Sequence, residues 1–372
     1  MTWDHKKSEQ FYGLDYWGGG YFSVNDSGHV EISPHGPQGP RLDLHTLIED
    51  IYDRGICPPI LVRLPDVVKS RVELLSSCFQ RAISSYGYKG KYMGVYPIKV
   101  NQQSHLVQEI VQFGKTKQLG LECGSKPELL VGLALMDTPN ALIICNGFKD
   151  QEYIETALLS QKLGRHTFIV VDRMEELNLI IKASKKLNIR PKIGFRAKLT
   201  NQGAGKWAES SGARSKFGLT PSEMVYGIQM LKQEDLLSSL ELLHFHIGSQ
   251  ITNIHAIKAS LKEAVRFYTE LHSLGASPKY IDVGGGLGIN YDGAAGKTDN
   301  STNYTEQEYA NDVISIIQTL CDEKGVEHPG IITEAGRALV AHSAILVFNV
   351  LGENRVAKSS VNHEITERDS RL

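Results

Sequence analysis

YMGVYPIK, residues 92–99, is a short apolar and aromatic run that ends at a proline and delivers a lysine, Lys99, just past its end. Residues 92–97 have the composition of a strand buried on both faces. Seven runs of the same kind follow, at 119–123, 141–145, 167–171, 192–196, 240–246, 280–283 and 330–333. Between them lie segments with apolar residues at helical spacing, among them 126–136, 151–163, 174–187, 254–274 and 306–324, and an amphipathic helix at about 65–85 precedes the first run. Eight strands alternating with helices over about 250 residues predict an α/β fold of the (β/α)8 TIM-barrel type. A doubly wound open sheet is the competing arrangement.

Outward from the barrel, residues 1–63 read as a β-rich segment. Residues 21–32 (YFSVNDSGHVEI) form a hairpin pattern around Asn-Asp-Ser-Gly, and Asp43 stands as the N-cap of a helix reaching about Arg54. The barrel takes 64–340. Residues 341–350 (AHSAILVFNV) are another strand-like run, so 341–372 reads as the start of a C-terminal β segment that joins the first in a second, all-β domain. Two Gly-rich inserts, 199–216 and 292–303, follow barrel strands and belong on the C-terminal face, where loops carry function.

With 372 residues, 41% hydrophobic and 22% charged, the composition is that of a soluble globular protein. A formal charge of -2 gives no basic field for nucleic acid. No run approaches the ~20 apolar residues of a membrane span, and the N-terminus lacks the apolar core of a signal peptide. The five cysteines, Cys57, Cys78, Cys123, Cys145 and Cys321, are scattered and never spaced C-x-x-C, which argues against disulfides or structural zinc and for a cytoplasmic setting.

Chemistry in a barrel gathers where strands end. Here those ends hold Lys99, Glu122, Arg196, His246 followed by Ser249, the glycines Gly284, Gly285 and Gly286, then Glu334, Gly336 and Arg337. A lysine after an apolar strand loses solvation, which favours the neutral, nucleophilic amine; the alternative is a side chain that snorkels to the rim. The triple glycine opens backbone N–H groups to an anion, with Arg337 adding charge, or it is only a tight turn. His246 is either a core histidine or a flat face against a planar ring. Glu334 caps a turn or pairs with a protonated ring nitrogen. Arg196 has Glu122 as a candidate partner across the barrel mouth.

GVYPIKVNQ (94–102), GLECGSKPELL (120–130), SKFGL (215–219), HFHIGS (244–249), IDVGGGLGINY (281–291) and TEAGR (333–337) together resemble, in order, the motifs of the fold-type III pyridoxal 5'-phosphate (PLP) decarboxylases. YPIKVNQ, the Gly-Lys-Trp at 205–207 and YGLDYW at 12–17 are similar to the biosynthetic arginine decarboxylase branch. The resemblance implies that Lys99 is the Schiff-base lysine and that His246 stacks on the pyridine ring. It places Ser249, Gly284, Gly285, Gly286, Gly336 and Arg337 at the phosphate, Glu334 at the ring nitrogen, and Glu122 and Arg196 in the cofactor pocket. Substrate contacts are implied for Ile281, Asp282, Val283, the three glycines, Leu287, Gly288, Ile289, Asn290 and Tyr291. The implied reaction is decarboxylation of L-arginine to agmatine and CO2 in polyamine biosynthesis, by a homo-oligomer. Magnesium is associated with the branch, but its ligands are unknown. A carboxylate at Glu334, where racemases of this fold carry an arginine, favours the stronger electron sink of decarboxylation.

In the family a long C-terminal part supplies a cysteine acid and acidic residues for the substrate's cationic end. This chain stops at Leu372 with no cysteine after Cys321, and Cys321-Asp322 falls in the helix pattern 306–324. The resemblance therefore implies a chain truncated relative to its family, with the cofactor residues kept, part of the substrate site missing and strand edges left unpaired. Other readings are a decarboxylase for ornithine, diaminopimelate or carboxynorspermidine, a non-enzymatic PLP-binding barrel of cofactor homeostasis, and a barrel with no cofactor.

Overall fold

A computed structural model describes residues 4–36, 38–200, 215–292, 294 and 298–355. The Gly-Lys-Trp at 205–207, most of the 199–216 insert and the tail from 356 lie outside the described residues, as do parts of the 292–303 insert. The chain opens with two short helices, α1 (His5–Tyr12) and α2 (Leu14–Trp17), before β1 (Phe22–Val24), β2 (Val30–Ile32), β3 (Leu42–Asp43), α3 (Leu44–Asp53) and β4 (Ile60–Arg63). The two helices at its start were not expected in this β-rich segment. α1 buries none of its residues and so has no apolar periodicity to read; its start is fixed by the Asp4 carboxylate, which accepts the Lys7 N–H. The hairpin pairs β1 with β2 antiparallel, Phe22 opposite Ile32, and Asp43 caps α3 by accepting the Thr46 N–H.

α4 (Pro65–Tyr86) leads into the barrel. It starts with Pro65 in its first turn and stops at Gly87, whose φ of 64° few other residues adopt cheaply. Then follow β5 (Tyr92–Pro97), α5 (Ser104–Gly114), β6 (Gly120–Cys123), α6 (Lys126–Leu135), β7 (Leu142–Cys145), α7 (Gln151–Lys162), β8 (His166–Val171), α8 (Met174–Leu187), β9 (Ile193–Arg196), α9 (Pro221–Gln233), β10 (Leu240–His244), α10 (Ile254–Ser273), β11 (Tyr280–Asp282), α11 (Glu306–Lys324), β12 (Gly330–Thr333), α12 (Arg337–Val340) and β13 (Ala344–Val347). β5 to β12 close in sequence order into a parallel barrel, with β12 hydrogen-bonded to β5. β13 is shorter than the run read at 341–350 and pairs antiparallel with β4, Ala344 opposite Arg63. Leu61, Leu346 and Phe348 on and beside this two-stranded sheet are exposed.

Period-two alternation decides what enters the barrel. Val95, Leu142, Ile144, Phe168, Val170, Leu242 and Ile332 form an apolar plug inside it, while Leu121, Ile143, Ile169, Leu243 and Ile331 belong to the larger core shared with the helices. The same alternation carries Glu122, Arg196, His244, Asp282 and Glu334 onto the inward face, one layer above the plug and towards the C-terminal end.

Candidate active site

A cavity of about 440 Å³ opens at that end. Lys99, His246, Ser249, Gly285, Gly286 and Leu287 line it, with Tyr291, Glu334, Gly336 and Arg337. Lys99 sits in a one-turn helix (Ile98–Val100) past β5, where the chain turns off the strand and aims the amine back over the mouth. Its Nζ lies 2.9 Å from Glu122 Oε2, in an ion pair half open on the lysine side and fully buried on the glutamate side. This corrects the expectation of a neutral amine. Burial does push the lysine down, but Glu122 and Glu334 outweigh it and hold the amine above its ordinary value. Glu122 is pushed up to about 6 by burial and by Glu334, against the pull of Lys99.

Arg196 does not meet Glu122. Its Nη1 lies 3.3 Å from Asp172 Oδ1, and its guanidinium stands 4.9 Å from the Phe217 ring centre. Asp172 also accepts the Gly218 N–H, so it fastens the SKFGL segment to the β8 end. Strand β10 ends at His244 rather than His246. His246 lies in the loop beyond, where its Nδ1 accepts the Gly285 N–H at 3.0 Å, which places the ring proton on Nε2. Burial, with Arg196 and Lys99 nearby, holds His246 far below its ordinary value, so the ring is neutral.

The glycines are required by contact. A Cβ on Gly284, at φ 66°, would lie 2.3 Å from the Phe245 carbonyl oxygen. One on Gly336 would lie 2.4 Å from Val100 Cγ2. Arg337 spans the same end of the cavity, donating to Ser249 Oγ at 2.9 Å and Tyr291 Oη at 3.0 Å. Among the described residues no carboxylate lies within ion-pair distance of it. The Gly284 and Gly285 N–H groups are taken by Asp282 and His246, so the Arg337 guanidinium, with no carboxylate beside it, is the group that offers a receptor for an anion.

The run 281–291 divides. Ile281, Val283 and Asp282 are buried in the barrel wall. Gly285, Gly286, Leu287 and Tyr291 reach the cavity. Gly288 donates its N–H to Tyr304 Oη, and Ile289 and Asn290 face a second cavity beside Trp17 and His342. Asn290 donates to the Tyr16 carbonyl, tying the N-terminal segment to the barrel.

Two residues of the site, Asn146 and His244, were not singled out from the sequence, and a third, Asp282, was implied only as a substrate contact. Asn146, just past β7, donates its amide to Glu122 Oε1 at 3.1 Å and Glu334 Oε1 at 2.6 Å. His244 and Asp282 stand directly opposite in the β10–β11 ladder, with Nδ1 and Oδ2 3.2 Å apart, and Glu334 Oε1 is 3.6 Å from the same nitrogen. The polar residue directly after the wholly apolar LIIC strand was the available signal for Asn146.

Residues 73–341 match the family model described as the pyridoxal-dependent decarboxylase, pyridoxal binding domain. The chain belongs to this family. As a pyridoxal-dependent decarboxylase domain it is 49% identical over 359 residues to a biosynthetic arginine decarboxylase of Nostoc sp., covering 96% of this chain and 53% of the relative. It is 51% identical over 352 residues to that of Gloeobacter violaceus, covering 95% and 55%. Among solved structures, the biosynthetic arginine decarboxylase of Campylobacter jejuni superposes with a TM-score of 0.81 at 36% identity, covering 90% of this chain and 54% of that one. The chain spans about half the length of the curated relatives it matches.

Proposed function

We propose that the chain carries the cofactor half of an L-arginine decarboxylase, releasing CO2 and forming agmatine for polyamine synthesis. The observation that bears most on this is one lysine amine, one carboxylate, one neutral imidazole face and one anion receptor around a single cavity. The pyridoxal cofactor of the family has an aldehyde, a ring nitrogen, a flat ring and a phosphate, and the four features answer these in turn. Bound there, it supplies the electron sink that lets an α-carboxylate leave as CO2.

Lys99 holds the cofactor through Nζ. The amine must first give up a proton, and Glu122 Oε2 at 2.9 Å is placed to take it. His246, its orientation set by the Gly285 N–H, would give the ring a flat face without adding charge. Glu334 would stand at the ring nitrogen, where an anion favours a proton on that atom. Gly285, Gly286, Gly336, Ser249 and Arg337 take the phosphate, with Gly284 shaping the turn. Arg196, with Asp172, braces the mouth. Substrate would lie against Leu287 and Tyr291, with Ile281, Asp282 and Val283 buried in the wall behind them.

The same reading divides the chain at 1–63, 64–340 and 341–372; the pairing of β4 with β13 across the barrel sequence supports this. A homo-oligomer belongs to it, supported by the exposed apolar side chains around β13. A cytoplasmic setting fits five unpaired cysteines, and no described helix is long and apolar enough to cross a membrane. Among the described residues magnesium receives no site. A hard cation takes oxygen ligands and keeps several waters, whereas the described group nearest to a ligand set, His244, Asp282 and Glu334, is fully buried.

Arginine is preferred over ornithine and diaminopimelate because the curated relatives named above are arginine decarboxylases. CO2 release from the three amino acids, with Lys99→Ala as control, tests the reading. Release from arginine, abolished in the variant, is expected. Faster release from either competitor would overturn the substrate, and equal release in Lys99→Ala would overturn the site.

A further inference from the structure

The inward layer above the apolar plug and its rim hold four carboxylates, and the cations there do not balance them. Lys99 is taken by Glu122 and Arg196 by Asp172. Asp282 and Glu334 are left with His244 as their basic neighbour. Asp282 Oδ1 accepts the Gly284 N–H at 2.9 Å, and Glu334 Oε1 accepts the Asn146 amide. What remains is a facing pair. His244 Nδ1 and Asp282 Oδ2 are both buried, lie 3.2 Å apart, and have no hydrogen-bond partner among the described residues. Two buried acceptors left in this way are costly, and a single proton between them satisfies both. The ladder fixes the pair, since the two residues are direct partners on β10 and β11.

We propose that His244 and Asp282 are positioning residues for the reaction: they hold one shared proton between Nδ1 and Oδ2, and so leave Glu334 as the anion at the cofactor's ring nitrogen. The groups facing the pair agree with this. Burial drives Asp282 up to about 7, opposed by the Gly284 N–H and by the neighbouring Glu334 carboxyl, aided by Glu122, with Lys99 pulling the other way. Burial drives His244 down to about 4, with Glu334 and Glu122 opposing and Arg196 and Lys99 assisting. Between those limits the imidazole carries no charge and the carboxyl keeps the proton. Above them the imidazole's own Nδ1 proton takes its place. In either case the hydrogen bond persists; Glu334, 3.6 Å from that nitrogen and itself raised by burial and by Asp282, is relieved of the Asp282 charge while the carboxyl keeps the proton.

The ring nitrogen enters through the decarboxylase reading; the shared proton does not depend on it. The test is therefore in two parts. In proton NMR of the whole chain without PLP, we expect a downfield, slowly exchanging resonance in the wild type that is absent from His244→Leu and Asp282→Asn. His244→Asn places an amide where Nδ1 stood and is expected to restore a hydrogen bond to Asp282. In the PLP-loaded protein, the pH midpoint of the cofactor's absorbance should move by about one unit, a tenfold change in proton affinity, in His244→Leu and stay at the wild-type value in His244→Asn. A purely structural role would lower the melting temperature of both variants without moving the midpoint.

Absence of the resonance from the wild type overturns the proposal, as does a folded His244→Leu with a wild-type midpoint. Should His244→Leu fail to fold, the isosteric Asp282→Asn carries the same comparison, and an unmoved midpoint there is equally fatal. If PLP attaches to a lysine other than Lys99 while the resonance persists in the cofactor-free protein, the decarboxylase reading fails and the shared proton stands.

Discussion

Replacing Asn146 with Ala should uncouple the cofactor pocket from neutral pH. The Asn146 amide is the common donor to Glu122 Oε1 and Glu334 Oε1, and the residue is 6% exposed. Each hydrogen bond to a charged group contributes about 1.5–3 kcal/mol, and one unit of pKa corresponds to about 1.4 kcal/mol. Loss of the donor should therefore raise Glu122 by roughly one to two units and move Glu334 in the same direction. Glu122 already stands at about 6 and Glu334 is raised by burial and by Asp282. The sign follows: both groups become harder to ionise, so the variant loses anionic charge at a higher pH than the wild type. Between about 6 and roughly two units above it, the variant should carry a protonated carboxyl where the wild type carries a carboxylate. PLP titrations followed by absorbance at pH 6.5, 7.5 and 9 would read this. At pH 6.5 and 7.5 affinity should fall about tenfold or more, and at pH 9 most of it should return. A loss of equal size at all three values, or no loss, would refute the coupling, provided thermal melts show both proteins folded.

Two further perturbations separate fold from site. Lys149 and Glu176 form a wholly buried ion pair at 3.1 Å that joins the loop after β7 to the first turn of α8. Lys149→Met strands the Glu176 charge and should cost about 3–5 kcal/mol in urea unfolding, whereas Lys149→Met with Glu176→Gln should recover most of it; equal losses would contradict this. Gly284→Ala places Cβ 2.3 Å from a backbone oxygen at positive φ and should cost more than ~2 kcal/mol of stability. Gly285→Ala, whose Cβ meets only contacts of 3.1 Å, should keep the melting temperature within a few degrees and weaken PLP binding. The reverse order of effects would show that the glycines serve the turn and not an anion.

Strand positions were legible because each barrel strand is a short apolar run in a helix-rich chain; β5 and β12 coincide with the runs read at 92–97 and 330–333. α9 was passed over although Thr220 and Glu223 form a capping box at its start, and α1 has no apolar face to detect. Lys99 was found from its place past a strand, but its charge was misjudged. Desolvation can be read from one run of sequence, whereas the opposing Glu122 and Glu334 come from β6 and the end of β12. Arg196 was assigned the wrong partner for the same reason: which inward side chains touch depends on barrel closure, and Asp172 sits on the neighbouring strand's end. His244 and Asp282 meet only through a contact between strands, so no local pattern announces the pair.

The most direct measurement is borohydride reduction of the chain in the presence of PLP, followed by proteolysis and mass mapping of the pyridoxyl group. We expect a single modified site at Lys99, lost in Lys99→Ala and weakened in Arg337→Ala, whose guanidinium closes the far end of the cavity. A label on another lysine, such as the buried Lys149, or no label at all, would contradict the site described above.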